Sequence, residues 1–311
     1  MTTVLKGKDI LHVKDLKLEH ISLISETAAR FETVLASGGR LTNMTGKVLA
    51  TLFFEPSTQT RLTFETAMLR MGGHVVSVTD VKTSNSAAKG ERLYDTGKMI
   101  DGYAHVAVVR HMAEGSAKEL ADGAGVPVIN GGDGSGQHPT QALMDLYTIQ
   151  KERGRLNNLT VTLAGDLKNG RTVHSLSWLL GKYGPRFNFV SPKELRMPED
   201  ITKGLVADGI EVVETTNLAE AVAKSDVLYM TRIQRERFID PVEYERLKGS
   251  YVVNLDLVKK SKHGITIMHP LPRVDEIARE VDDYEGAAYF RQAAYGVPIR
   301  MAVIALVTGL E

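Results

Sequence analysis

The feature that most constrains this chain is an alternation of two periodicities. Short apolar runs rich in β-branched residues recur at Val48–Phe54, His74–Val78, His105–Val109 and Val126–Ile129, separated by stretches with helical apolar spacing such as Leu62–Leu69 and Ala117–Ala121. The last run contains Pro127, which cannot donate to a sheet ladder. After a helix-like segment from Pro139 to about Lys151, the pattern resumes with strands expected at Leu159–Ala164, Phe187–Val190, Ile210–Val213, Val227–Met230, Tyr251–Val253 and Ile265–Met268. Strands interleaved with helices imply parallel sheets with helices on both faces, so the expected class is α/β. Such sheets bind ligands outside the carboxyl ends of their strands. With 311 residues the chain exceeds one compact core. Two domains are expected, 1–137 and 138–286, with the apolar segment 287–311 packing back on the first.

Several function classes drop out on composition. Lys plus Arg equal Asp plus Glu at 38 each, so no overall field draws the chain to nucleic acid or to an anionic membrane. The longest apolar stretch, about Met301 to Val307, is too short to span a bilayer, and the opening MTTVLKGKDILHVKDL reads as neither signal nor transit peptide. A cytoplasmic location is the expectation. Cysteine is absent, which removes disulfides, thiolate metal sites and cysteine nucleophiles. No His and carboxylate cluster has metal-ligand spacing, so neither metal nor cofactor is expected.

Chemistry concentrates where the first strand runs into Glu55-Pro56-Ser57-Thr58-Gln59-Thr60-Arg61 and then into the helical pattern Leu62-Thr63-Phe64-Glu65. Free amides at a helix start, hydroxyls of Ser57, Thr58 and Thr60 and the Arg61 guanidinium together suit a phosphate. The same residues also suit a plain N-cap. Neither a Walker loop nor a dinucleotide fingerprint is present. The glycine-rich run Gly131–Gln137 reads as permissive backbone that sets His138 at the start of the next helix, where a neutral imidazole is favoured.

Phe53-Phe54-Glu55-Pro56-Ser57-Thr58-Gln59-Thr60-Arg61 resembles the carbamoyl phosphate signature of the aspartate and ornithine carbamoyltransferase family. His138-Pro139-Thr140-Gln141, Gly165–Thr172, Thr231-Arg232-Ile233-Gln234 and His269-Pro270-Leu271-Pro272-Arg273 resemble aspartate-type blocks in the same order. The resemblance implies transfer of a carbamoyl group from carbamoyl phosphate to L-aspartate, an early step of pyrimidine biosynthesis. It assigns Ser57, Thr58, Thr60, Arg61 and Arg110 to carbamoyl phosphate, with Thr60, Arg110 and His138 near the carbonyl oxygen. Gln141 and the backbone carbonyls of Pro270 and Leu271 would hold the carbamoyl nitrogen. Arg171 and Arg232, helped by Gln234, would grip the two carboxylates of aspartate. Lys89 stands where the family has a lysine that reaches a neighbouring subunit's site, which implies a homotrimer with shared sites, joined in some members by a separate regulatory chain.

Gln59 departs from the family, which usually has Arg there, so a weakly active homologue remains an alternative. Another is a carbamoyltransferase for a different amino acid such as ornithine, which His269-Pro270-Leu271-Pro272 disfavours because ornithine-type relatives usually carry Cys after the His. Read without the family, Arg171, Arg232 and Lys89 are equally surface cations, and His111, His174 and His269 are packing or supporting groups.

Overall fold

The structure, a computed structural model, describes residues 4–79, 91–261 and 264–311. Two compact units emerge, Met1–Leu143 with Tyr295–Glu311, and Met144–Ala294. The divisions therefore fall a few residues later than the expected 137/138 and 286/287, inside two helices, α5 (Pro139–Arg153) and α11 (Tyr289–Thr308).

In the first unit, among the described residues, β1 (Val48–Phe53), β2 (His74–Val78), β3 (Val106–His111) and β4 (Val128–Asp133) form one sheet in the order β2-β1-β3-β4. Every pairing is parallel. All of β1 after Val48 is buried, the mark of a strand covered on both sides. Ala50, Leu52, Ala107 and Val109 pack with Leu93 and Ile100 of α3 (Leu93–Ile100) and with Ala117 and Leu120 of α4 (Ser116–Gly123). Each fully buried leucine or valine contributes about 1.5–3 kcal/mol relative to an exposed one. A long helix, α1 (Leu18–Ala36), precedes the first strand and buries Ile21, Ile24, Ala28 and Phe31 at helical spacing. From β1 the chain passes through α2 (Thr58–Arg70) to β2, then returns across β1 to β3. Connections thus leave β1 and β3 in opposite directions, and the carboxyl ends of that pair frame the crevice of the sheet.

The second unit repeats the plan. Strands β5 (Thr160–Ala164), β6 (Arg186–Val190), β7 (Glu211–Thr215), β8 (Val227–Met230) and β9 (Thr266–Met268) form a parallel sheet in the order β7-β6-β5-β8-β9. Helices α6 (Arg171–Gly181), α7 (Glu199–Ala207), α8 (Leu218–Val222), α9 (Pro241–Leu247) and α10 (Leu255–Lys259) connect or follow these strands. Here the winding reverses between β5 and β8.

Two expectations require correction. Tyr251–Val253 is not a strand: Val253 makes a single bridge to Ile277, after which Asn254 caps α10 through Leu257 N at 2.9 Å. A cap that close leaves no room for a ladder. The strand expected at Val126–Ile129 begins instead at Val128 and extends to Asp133, into the run Gly131–Gln137, past a register shift opposite Val109 to His111. Among the described residues, no helix is long and apolar enough to cross a membrane, and no group of three or more His, Asp or Glu side chains is placed to hold a metal ion.

Candidate active site

The loop leaving β1 ends at Ser57, whose extended backbone (φ −159°) brings its Oγ 3.3 Å from the amide of Thr60, which it caps. The cap reading of this motif is therefore realised, and it leaves the remaining amides of the first turn of α2 as the positive end of the helix. Thr60 is buried on that turn with Oγ1 3.5 Å from Nε2 of His138. His138 immediately precedes α5, and its carbonyl accepts the amides of Gln141 and Ala142 at 3.1 Å each. Its ring and the Gln141 side chain are both buried. Thr58 is exposed, whereas Arg61 is half-buried with Nε 3.5 Å from Oε1 of Glu65.

Arg110 stands near the end of β3, paired in register with Phe53. Only 8% exposed, it donates from Nη2 to Oε1 of Glu55 at 2.9 Å and from Nη1 to the carbonyl of Gly131 at 3.2 Å. Ser57, Thr60, Arg61, Arg110, His138 and Gln141 thus sit on the carboxyl side of β1, β3 and β4, where this sheet's winding reverses. A helix start with two guanidiniums beside it has the donor set that an anion requires.

In the second unit, Gly165 follows β5 with φ +113°, and a Cβ there would lie 2.1 Å from the carbonyl oxygen of Thr231. Only glycine permits the loops after β5 and β8 to press so closely. Buried Asp166 locks the arrangement, its Oδ1 accepting the Asn169 amide at 3.0 Å and its Oδ2 the Gln234 amide at 3.4 Å. Arg171 opens α6 after Gly170, and Arg232 lies two residues past the end of β8, after Thr231. Both carboxylate oxygens of Glu236 bind the Arg232 guanidinium. That pairing raises the Arg232 pKa and holds the Glu236 carboxyl below its ordinary value. Arg232 also lines a cavity with Gly165, Thr231, Tyr244, Tyr251 and Glu276.

The third loop of this unit follows β9. His269 is almost wholly buried; its Nδ1 accepts the Leu271 amide at 2.8 Å, so Nε2 carries the proton and donates to Oε1 of Glu276 at 2.7 Å. Burial lowers the His269 pKa despite the carboxylate beside it. Burial alone would push Glu276 up, but hydrogen bonds from His269 and the backbone outweigh it and hold its pKa down. Behind the loop, the His269 amide donates to Gln292, Gln292 to Asp145, and Tyr229 to the same carboxylate. Pro270 and Leu271 are held on this scaffold, with Leu271 at φ +52° and a cis peptide to Pro272.

Two family models cover nearly all of the chain: the aspartate/ornithine carbamoyltransferase carbamoyl-P binding domain over residues 8–151, and the Asp/Orn binding domain over residues 157–307. The chain belongs to the aspartate/ornithine carbamoyltransferase family. Within this family it is 52% identical over 305 residues to the aspartate carbamoyltransferase catalytic subunit of Thermococcus kodakarensis, covering 98% of each chain. A crystal structure of aspartate transcarbamoylase from Trypanosoma cruzi with carbamoyl phosphate and aspartate superposes with a TM-score of 0.93 at 38% identity, covering 98% of each chain. A second structure of that enzyme, with N-(phosphonacetyl)-L-aspartic acid, gives a TM-score of 0.92 at 38% identity over 98% of this chain and 97% of that one.

The residues expected to take carbamoyl phosphate divide between the units, with Pro270 and Leu271 in the second and the others in the first. Arg171, Arg232 and Gln234 all belong to the second. Lys89 lies outside the described residues. The acidic partners Glu55, Glu236 and Glu276 and the loop lock Asp166 were not among the expected site residues. Glu55 and Asp166 left a signal, since each stands inside a quoted motif, Glu55 directly before Pro56 and Asp166 directly after the Gly165 turn.

Proposed function

We propose that this chain transfers the carbamoyl group of carbamoyl phosphate to the amino group of L-aspartate, giving N-carbamoyl-L-aspartate and phosphate. The observation that carries the proposal is the start of α2 at the carboxyl end of β1, where free amides, Thr60 and Arg61 stand beside Arg110. The identity of the second substrate is supported by two arginines at the winding reversal of the other sheet, since a guanidinium fork suits carboxylate and repels a cationic amino acid.

On this reading the neutral amine attacks the carbonyl carbon, the new C–N bond forms, the C–O bond to phosphate breaks with its electron pair leaving on phosphate, and the proton the amine nitrogen loses passes to the departing phosphate. Thr60, Arg110 and His138 stabilise the developing oxyanion. Ser57, Thr58 and Arg61 take the phosphate, which leaves with its charge matched. The side-chain oxygen of Gln141 and the carbonyls of Pro270 and Leu271 accept from the carbamoyl NH2, which needs acceptors. Arg171, Arg232 and Gln234 hold aspartate, and Arg232 exchanges the Glu236 carboxylate for that of the substrate. Displacement is direct, without a covalent intermediate or a cofactor.

The same reading makes the protein a cytoplasmic homotrimer of pyrimidine biosynthesis, with Lys89 completing a neighbour's site and a separate regulatory chain joining the trimer where one is present. Purified protein is expected to form carbamoyl-aspartate and to leave L-ornithine unchanged. Product from ornithine, or none at any aspartate concentration, overturns the assignment. Light scattering with and without N-(phosphonacetyl)-L-aspartate tests the trimer.

A further inference from the structure

Arg300 on α11 is a fully buried guanidinium, 0% exposed. Its Nη1 donates to Oγ1 of Thr63, and its Cζ lies 4.9 Å from the centroid of the Phe64 ring. Thr63 belongs to α2, and its hydroxyl proton is directed at the carbonyls of Gln59 at 2.7 Å and Thr60 at 3.0 Å. One hydroxyl therefore joins a buried cation to the helical turn that carries the phosphate motif.

Burying a charge is costly, and a well-packed hydrophobe of similar volume often serves stability equally well. A buried guanidinium aimed at this turn suits a second task better than it suits packing. In low dielectric its charge is screened little, so it adds to the positive end of α2 from behind. Gln59 adds no charge of its own.

We infer that Arg300 is a positioning residue for the phosphate subsite, acting through Thr63 on the first turn of α2 and holding positive potential beneath it. The inference rests on the carbamoyl phosphate reading of that turn. It assigns Arg300 no contact with substrate.

The test compares Arg300→Met, Arg300→Lys and Thr63→Val with wild type. Readouts are kcat, KM for each substrate, the inhibition constant of inorganic phosphate, and thermal midpoint with and without phosphate. Arg300→Met is expected to raise KM for carbamoyl phosphate and the phosphate inhibition constant on the order of tenfold, with kcat and the aspartate KM within about twofold. Arg300→Lys, which keeps the charge, recovers most of that loss. Thr63→Val moves the same constants in the same direction by less. A folded Arg300→Met protein with wild-type KM for carbamoyl phosphate, or a Lys variant no better than Met, overturns the inference. Should Arg300→Met fail to fold, Thr63→Val decides, and unchanged phosphate constants there overturn it. Wild-type protein without turnover sinks the proposed activity instead, while phosphate-induced thermal shifts still compare the variants.

Discussion

Nε2 of His269 lies 2.7 Å from Oε1 of Glu276 while Nδ1 of the same ring takes the amide proton of Leu271 at 2.8 Å. Both ring nitrogens are committed, which fixes the tautomer and leaves no acceptor for a second proton. The Glu276 carboxylate also receives the amides of Val274 and Asp275, at 3.2 and 3.1 Å. A neutral histidine between an amide and a carboxylate is therefore the strut of the loop that presents Pro270 and Leu271.

Acid should loosen that strut. The folded pKa of His269 is lowered from 6.5, so the unfolded chain binds more protons and stability falls as pH drops through 6.5. Glu276, lowered from 4.5, contributes stability above that value and loses it as pH falls further. Both signs agree. The thermal midpoint should decline from pH 7 to pH 5, and His269→Gln should flatten that slope. Equal slopes in the two proteins would refute the assignment.

Gly165 offers a test of backbone geometry. An alanine there would place Cβ 2.1 Å from Thr231 O at φ +113°, so the loops after β5 and β8 must separate. Gly165→Ala is expected to cost about 3 kcal/mol, seen as a thermal midpoint roughly 6–12 °C lower. The Asp166 bridge to Gln234 would be strained with it, so KM for aspartate should rise in whatever protein still folds. A variant with wild-type stability means the two loops do not meet this way.

What the sequence made legible was chemistry at strand ends. Ser57 to Arg61 and Arg232 follow strands whose apolar runs are unmistakable, and the structure places them past those strand ends, where a parallel sheet offers room for a ligand. Less legible were the acids that meet the arginines. Glu55 with Arg110 joins residues 55 positions apart, a pairing made by the register of β1 and β3 and by nothing local. Strand ends were unclear for a related reason: glycines 131 and 132 signal a loop by propensity, yet the ladder to β3 carries them through Asp133. Tyr251–Val253 has strand composition but a partner long enough only for one bridge.

Arg232 should matter to one substrate only. Arg232→Ala is expected to lower kcat/KM for aspartate on the order of 100-fold while KM for carbamoyl phosphate changes little, since a hydrogen-bonded charge pair in a partly closed site is worth that much. Glu236→Gln, which weakens the internal competitor for the same guanidinium, should lower the aspartate KM. Steady-state kinetics on both substrates check the pair, and a rise in KM for Glu236→Gln would mean that Glu236 orients Arg232 rather than competing with aspartate.

Gln59 sits on the first turn of α2 with a neutral amide in place of a cation. Charge-assisted hydrogen bonds are roughly twice as strong as neutral ones, so Gln59→Arg should tighten carbamoyl phosphate about fivefold. A titration of both forms decides; equal or weaker binding would show that the turn is already saturated with donors.

The last prediction concerns completeness of the site in one chain. If Lys89 serves a neighbour, Lys89→Ala and Arg61→Ala proteins are each nearly inactive, but each keeps the half that the other lacks. Random reassembly of a cyclic trimer from equal amounts then gives about one quarter of interfaces both intact groups, so activity should return toward that fraction of wild type. Subunit exchange confirmed by mass, followed by a turnover assay, reads the result. Continued silence after exchange would mean that each chain builds its site alone.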